Sequence, residues 1–134
     1  MNTQTITSTA ATGSMRLGTL PFVFGRYALW VESMTFEWAR RLDEAYKGGN
    51  WEFYNLSNGG FYMATQGQDK RSVSAPNGYA GEVSADAAGI IACLYALCEL
   101  ANRTEDDLLI EKYHQLRDYA ILHEEREEIL AAID

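Results

Sequence analysis

Residues 85–101, ADAAGIIACLYALCELA, constrain the fold more than any other stretch of this sequence. Read as a helix they are apolar almost all round, and such a helix is stable in water only when other elements cover it on several sides. It must therefore be central. Ser84 is a natural N-cap, and Asp86 suits the first turn of a helix dipole. Ala88, Gly89 and Ala92 let a neighbouring backbone come close. The chain has 134 residues, enough for one domain with a core that needs no metal or disulfide. No apolar run reaches the ~20 residues of a membrane span, so a soluble, cytoplasmic protein with no membrane partner is expected.

The elements that could surround this helix are legible from periodicity. Residues 1–14 are polar and of low complexity and read as a flexible tail, followed by a domain over 15–134. MRLGTLPFVFG, 15–25, is an apolar lead-in, irregular or a short helix, packed on the core. Tyr27, Val31, Met34, Trp38, Leu42 and Ala45 recur at helical spacing over 26–46. WEFYNLS and GFYMAT are aromatic-rich strands joined by a tight turn at either Asn58-Gly59 or Gly59-Gly60. Both turns put Tyr54, Leu56, Phe61 and Met63 on one face. The other face, with Trp51, Phe53, Asn55, Ser57, Tyr62 and Ala64, is half apolar and half hydrogen-bonding. RSVSA, 71–75, supplies a third strand of a meander, and YAGEV, 79–83, a short edge strand. Thr104 caps a helix with buried Leu109, Tyr113, Leu116 and Ala120. A break at His123 precedes a last helix anchored by Ile129, Leu130 and Ile133. The class expected is α+β: a small antiparallel meander of about three strands packed with four to five helices in a single domain.

Chemistry-bearing patterns are scarce. The two cysteines, Cys93 and Cys98, lie about 140° apart on one helix and read as buried reduced thiols. Glu111 and His114 have the spacing of one carboxylate-bridged metal motif, but a dimetal bundle needs two. HEERE is not a zinc-protease motif, and no nucleophile elbow or phosphate-binding loop is present. Glu52, Glu82 and Asp86 could cluster as carboxylates, although surface acids are commoner. No cofactor and no catalytic or metal residue is expected. A base-stacking role for the aromatic strands would need a basic surface, and only Lys70 and Arg71 are at hand. Strong direct DNA binding is therefore not expected.

Three longer blocks carry a resemblance. WEFYNLSNGGFYM, GEVSADAAGI and EKYHQLRDYAILHEEREEILAAID are similar to the antirestriction proteins of the ArdB/KlcA family, with LPFVFG and YKGGNW agreeing as well. The resemblance runs from about Met15 to Asp134. It implies a small non-enzymatic cytoplasmic protein of plasmids and other mobile elements, with a mixed α+β fold and no cofactor. It also implies protection of unmodified incoming DNA against type I restriction-modification systems. The partner would be a type I restriction endonuclease or an associated host factor, met directly or indirectly. A DNA- or nuclease-associated accessory factor of mobile elements is the alternative, and an enzyme a more distant one.

Charge separates protein contact from imitation of DNA. Residues 1–103 hold nine acids and eight bases, and residues 104–134 hold ten acids and three bases, which makes −1 and −7 of the total −8. Duplex DNA as long as a domain of this size, ~35 Å, carries about 20 phosphate charges. A net charge of −8 makes a poor mimic. The candidate partner surface is instead the hairpin tip and its neighbours: Asn55, Ser57, Asn58, Gly59 and Tyr62, with Glu82 and Asp86.

Overall fold

The computed structural model describes residues 5–134. Strand β1 is Ser8–Ala10 and helix α1 is Ser14–Phe24; a 3-10 turn, Gly25–Tyr27, leads into α2, Ala28–Leu42. The strands β2 (Trp51–Leu56), β3 (Phe61–Thr65), β4 (Arg71–Ser74) and β5 (Ala80–Val83) follow, and then α3 (Ala85–Thr104), α4 (Asp107–Leu122) and α5 (Arg126–Ile133). The class is the expected α+β.

The fully apolar helix occupies the expected place. Along α3, Ile90, Ile91, Ala92, Cys93, Leu94, Ala96, Leu97 and Leu100 are all buried. α2, β3, α4 and α5 pack around it. By length and apolar composition α3 could cross a membrane, but most of it is covered by protein. It starts where Ser84 Oγ accepts from the Ala87 N–H at 3.1 Å. It ends later than the sequence suggests. Asn102 and Arg103 stay helical, Glu105 takes the left-handed conformation at φ 55°, and Asp106, rather than Thr104, caps α4 by accepting from Leu108 N–H at 2.9 Å. Gly89 is the point of closest approach: a Cβ there would fall 2.7 Å from Ala64 Cα on β3.

The sheet departs from the expected meander in two ways. The third strand is β1, not β4: Ser8, Thr9 and Ala10 pair antiparallel with Leu56, Asn55 and Tyr54. β4 and β5 form a separate two-stranded ribbon. The expectation of a flexible tail over 1–14 is thus corrected at 8–10, and Ala11 is buried; residues 1–4 lie outside the described residues. The polar STA segment gives no strand signal by composition. It is held because β2 would otherwise expose a row of unpaired backbone groups.

The hairpin register also differs. Leu56 N–H donates to Gly60 O at 2.9 Å and Gly59 N–H to Leu56 O at 3.0 Å, closing a three-residue loop, Ser57-Asn58-Gly59. Gly59 sits at φ 93°, which the third position of such a loop demands. A three-residue loop shifts pairing by one relative to a two-residue loop, and a one-residue slip moves side chains to the opposite face. Tyr54 therefore stands opposite Tyr62 and Phe53 opposite Met63. The sheet is buried on both sides. Phe61 and Phe53 meet α1 through Phe24 and Arg16, and Trp51 meets Phe36 of α2. Tyr62 on the other face meets α4 through Tyr119.

Candidate functional site

The hairpin tip is docked, not free. Asn58 Nδ2 donates to Gln115 O on α4 at 2.9 Å, and its Oδ1 accepts from Gly60 N–H at 3.0 Å. Lys112 Nζ donates to Gly59 O at 2.7 Å. Gly60 has no room for a side chain, since a Cβ would sit 3.0 Å from Gln115 Cβ and from Leu56 Cδ1. Ser57, although exposed, is joined to β1: its Oγ accepts from Thr7 N–H and its N–H donates to Thr7 O, both at 2.9 Å. The glycines and amide of NLSNGG thus serve a turn that fits against α4.

Tyr62 does not stand on a free face. It is 2 % exposed and lies between Tyr54, at a ring distance of 4.7 Å, and Tyr119, at 5.7 Å. Its hydroxyl donates to Asp86 Oδ1 at 2.7 Å. His123 Nε2 is 2.8 Å from Asp86 Oδ2, and the Glu125 N–H donates to His123 Nδ1 at 2.9 Å. A backbone N–H can only donate, so Nδ1 is the accepting nitrogen and Nε2 carries the ring proton toward Asp86. Burial alone would raise the Asp86 pKa, but the hydrogen bonds from His123 and Tyr62 outweigh it and leave the carboxyl below its ordinary value. Burial, reinforced by the bond to Asp86, pushes the Tyr62 phenol far up and keeps it protonated. Asp86 pulls the His123 pKa up, against burial. A second proton on that ring would also have to displace the Glu125 N–H. The group fastens the start of α3 to the α4–α5 junction.

Further acids of the EEREE segment do the same. Glu125 accepts from Ser84 N–H at 2.9 Å and from the Ser84 hydroxyl. Burial would raise its pKa, and these two bonds bring it below the usual value. Glu128 accepts from the Tyr79 hydroxyl, and Asn77 Nδ2 donates to Ala131 O at 2.9 Å. Part of the C-terminal charge is thus a fastening between the β4–β5 ribbon, the start of α3 and α5.

The remaining candidates are dispersed. Glu82 is exposed on β5 opposite Ser72, in the second sheet. Glu52 accepts from Gln66. Among the described residues, no three His, Cys, Asp or Glu side chains converge as metal ligands. Cys93 is buried, its thiol pushed up to about 12 by burial, whereas Cys98 is exposed, contrary to the expectation of two buried thiols.

Asn55 is the exception among the candidates. Its side chain lines a surface groove of about 290 Å³ with Met15, Gly18, Thr19 and Phe22 of α1. This points to a surface the sequence left unremarked. Phe22 is 91 % exposed, Leu17 83 %, Leu29 75 % and Met15 70 %. The single charged residue of α1, Arg16, turns inward: its Nη2 donates to Trp51 O at 2.5 Å, and its guanidinium lies 4.5 Å over the Phe53 ring. The signal was present in SMRLGTLPFVF, which has too many apolar residues for the one face a surface helix buries.

The fold is a small α+β unit with an exposed apolar ridge on α1 and most of its net charge in the C-terminal segment. Residues 44–134 match the antirestriction protein family. The antirestriction protein KlcA of Escherichia coli is 45 % identical over 96 % of this chain and 94 % of its own length. A second E. coli KlcA is 42 % identical over the full length of both. A solved structure from work on the KlcA and ArdB proteins superposes with a TM-score of 0.93 at 44 % identity, covering all of both chains. That work describes a novel fold and antirestriction activity against type I DNA restriction systems in vivo but not in vitro. This chain belongs to the antirestriction protein family.

Proposed function

We propose that this protein protects unmodified incoming DNA from type I restriction-modification systems, acting in the cytoplasm by protein contact and without catalysis. The observation that carries this is the end-to-end correspondence with the KlcA and ArdB structure, whose proteins act against type I systems in cells. Their lack of activity in vitro favours a partner that purified reactions omit, such as a host factor associated with the endonuclease. The structure supports contact over imitation of DNA. Asp86, Glu125 and Glu128 accept hydrogen bonds from within the fold, and Asp106 caps α4 and accepts from Tyr27, so these four acids serve the fold itself. The plating efficiency of unmodified phage on a host carrying a type I system tests the proposal. With the protein expressed, plating should rise toward that on a non-restricting host. Unchanged restriction at confirmed soluble expression would oppose it.

A further inference from the structure

We infer that the outer face of α1, joined by Leu29 of α2, is a self-association surface on which a second copy of this chain packs face to face. The face is continuous. Met15, Gly18 and Phe22 border the groove shared with Asn55, and Leu17, Pro21 and Leu29 line a second groove of about 410 Å³ on the other flank of α1, with Arg16 and Glu32 as its charged members. An apolar ridge carrying Leu17 and Phe22 thus lies between two grooves, the second of which holds one base and one acid, Arg16 and Glu32. A surface with both ridge and groove is what an isologous two-fold contact requires, because each copy must supply both halves of the fit.

Area and charge select the occupant. Taking ~200 Å² for a large side chain, the exposed fractions of Met15, Leu17, Phe22 and Leu29 leave roughly 600 Å² of apolar surface. That is at the upper end of what a monomer leaves bare, and approaches the ~800 Å² per partner of a standard interface before Pro21, Gly18 and Asn55 are counted. The solvent side of α1, from Ser14 to Phe22, carries no charge. A strongly charged partner surface would lose water over this ridge, while Arg16 and Glu32 in the flanking groove are one base and one acid that a two-fold contact could pair across copies. A membrane surface is disfavoured as well, since α1 lacks the lysines and arginines of an interfacial helix. A second copy fits without either cost. Residues 15–47 hold five bases and four acids, a net of +1, whereas 104–134 hold −7. Packing through α1 therefore brings two chains of net −8 together at their least acidic part.

Sedimentation equilibrium of the full chain up to about 100 µM tests this, in a range where a weak dimer with micromolar Kd is populated. The expected species has twice the 15.0 kDa chain mass. Phe22→Glu with Leu29→Glu should give the single mass and, because both side chains are exposed, an unchanged thermal melt. Should that variant misfold, Gly18→Cys in a Cys98→Ser background provides an independent test. A Cβ at Gly18 meets nothing within 4 Å, and oxidation should yield a covalent dimer. A monomer at the highest concentration would overturn the inference. So would a dimer that survives the double substitution, or a parent that is monomeric while the double variant loses protection of phage, which would give the face to another protein.

Discussion

Replacing Tyr62 separates a buried packing element from a recognition residue. Tyr62 is 2 % exposed, held between the rings of Tyr54 and Tyr119 and bonded to Asp86 at 2.7 Å. Tyr62→Ala removes both ring contacts and leaves a cavity, a change that costs about 3–5 kcal/mol in well-packed cores. Tyr62→Phe keeps the rings and loses only the hydroxyl. Asp86 still has His123, so the loss is one hydrogen bond to a charged group, about 1.5 kcal/mol. Each kcal/mol lowers the Tm of a chain of this size by ~3–5 °C, which places Tyr62→Phe ~5–8 °C and Tyr62→Ala ~9–25 °C below the parent. Thermal unfolding followed by circular dichroism, with urea midpoints alongside, gives both values. Protection of phage should follow the folded fraction, so Tyr62→Phe should protect fully at the growth temperature. A Tyr62→Ala protein that melts within ~2 °C of the parent yet fails to protect would refute the reasoning and return Tyr62 to the recognition surface.

Three further predictions concern the charged groups and the core. Within EEREE, Glu125→Gln should lower stability by about 1 kcal/mol, because it weakens the bonds at Ser84, whereas Glu124→Gln should lie within ~0.5 kcal/mol of the parent; paired urea titrations decide. The Asp86 carboxyl has a folded pKa below its unfolded value, so its stabilising contribution is present above the ordinary carboxylate range and is lost as pH falls through the folded value. Urea midpoints taken downward from pH 6 should therefore fall less steeply in Asp86→Asn than in the parent, and parallel curves would contradict this. Leu94→Asp places an unpaired charge within α3 at a residue 1 % exposed and should abolish the cooperative melt or lower it by several kcal/mol.

What was legible in the sequence was periodicity and composition within one element. α3 declared itself because an all-apolar helix has one possible environment, and the α+β class followed from the order of its neighbours. What escaped depended on pairings between distant segments. The hairpin register turned on whether Gly59 was the second or third loop residue, and both glycines of SNGG allow either. That single residue exchanged the faces of β2 relative to β3, which is why Tyr62 was set beside Phe53 and not beside Tyr54. β1 was missed because Ser8, Thr9 and Ala10 have no apolar alternation; their strand exists only because β2 offers an edge. The roles of His123 and Glu125 were hidden for a similar reason. HEEREE reads as solvated charge until the fold places Ser84 and Asp86 against it, some 37 to 41 residues away in the chain. The α1 face was the opposite case: the excess of apolar residues over 14–24 was in view, but packing alone was taken to explain it.

Protection against a type I system by a charge-reduced protein tests the account most directly. The variant carries Glu105→Gln, Asp118→Asn, Glu124→Gln and Glu127→Gln, which leaves Asp86, Asp106, Glu125 and Glu128 in their internal bonds. It lowers the net charge from −8 to −4. The measurement is the plating of unmodified phage on a restricting host, relative to the same host expressing the parent protein. Action by protein contact predicts plating within about twofold of the parent, since none of the four side chains belongs to the uncharged α1 face or to the internal fastening. Loss of protection in a variant that melts as the parent does would contradict the account, because it would show that the acidic surface itself opposes restriction.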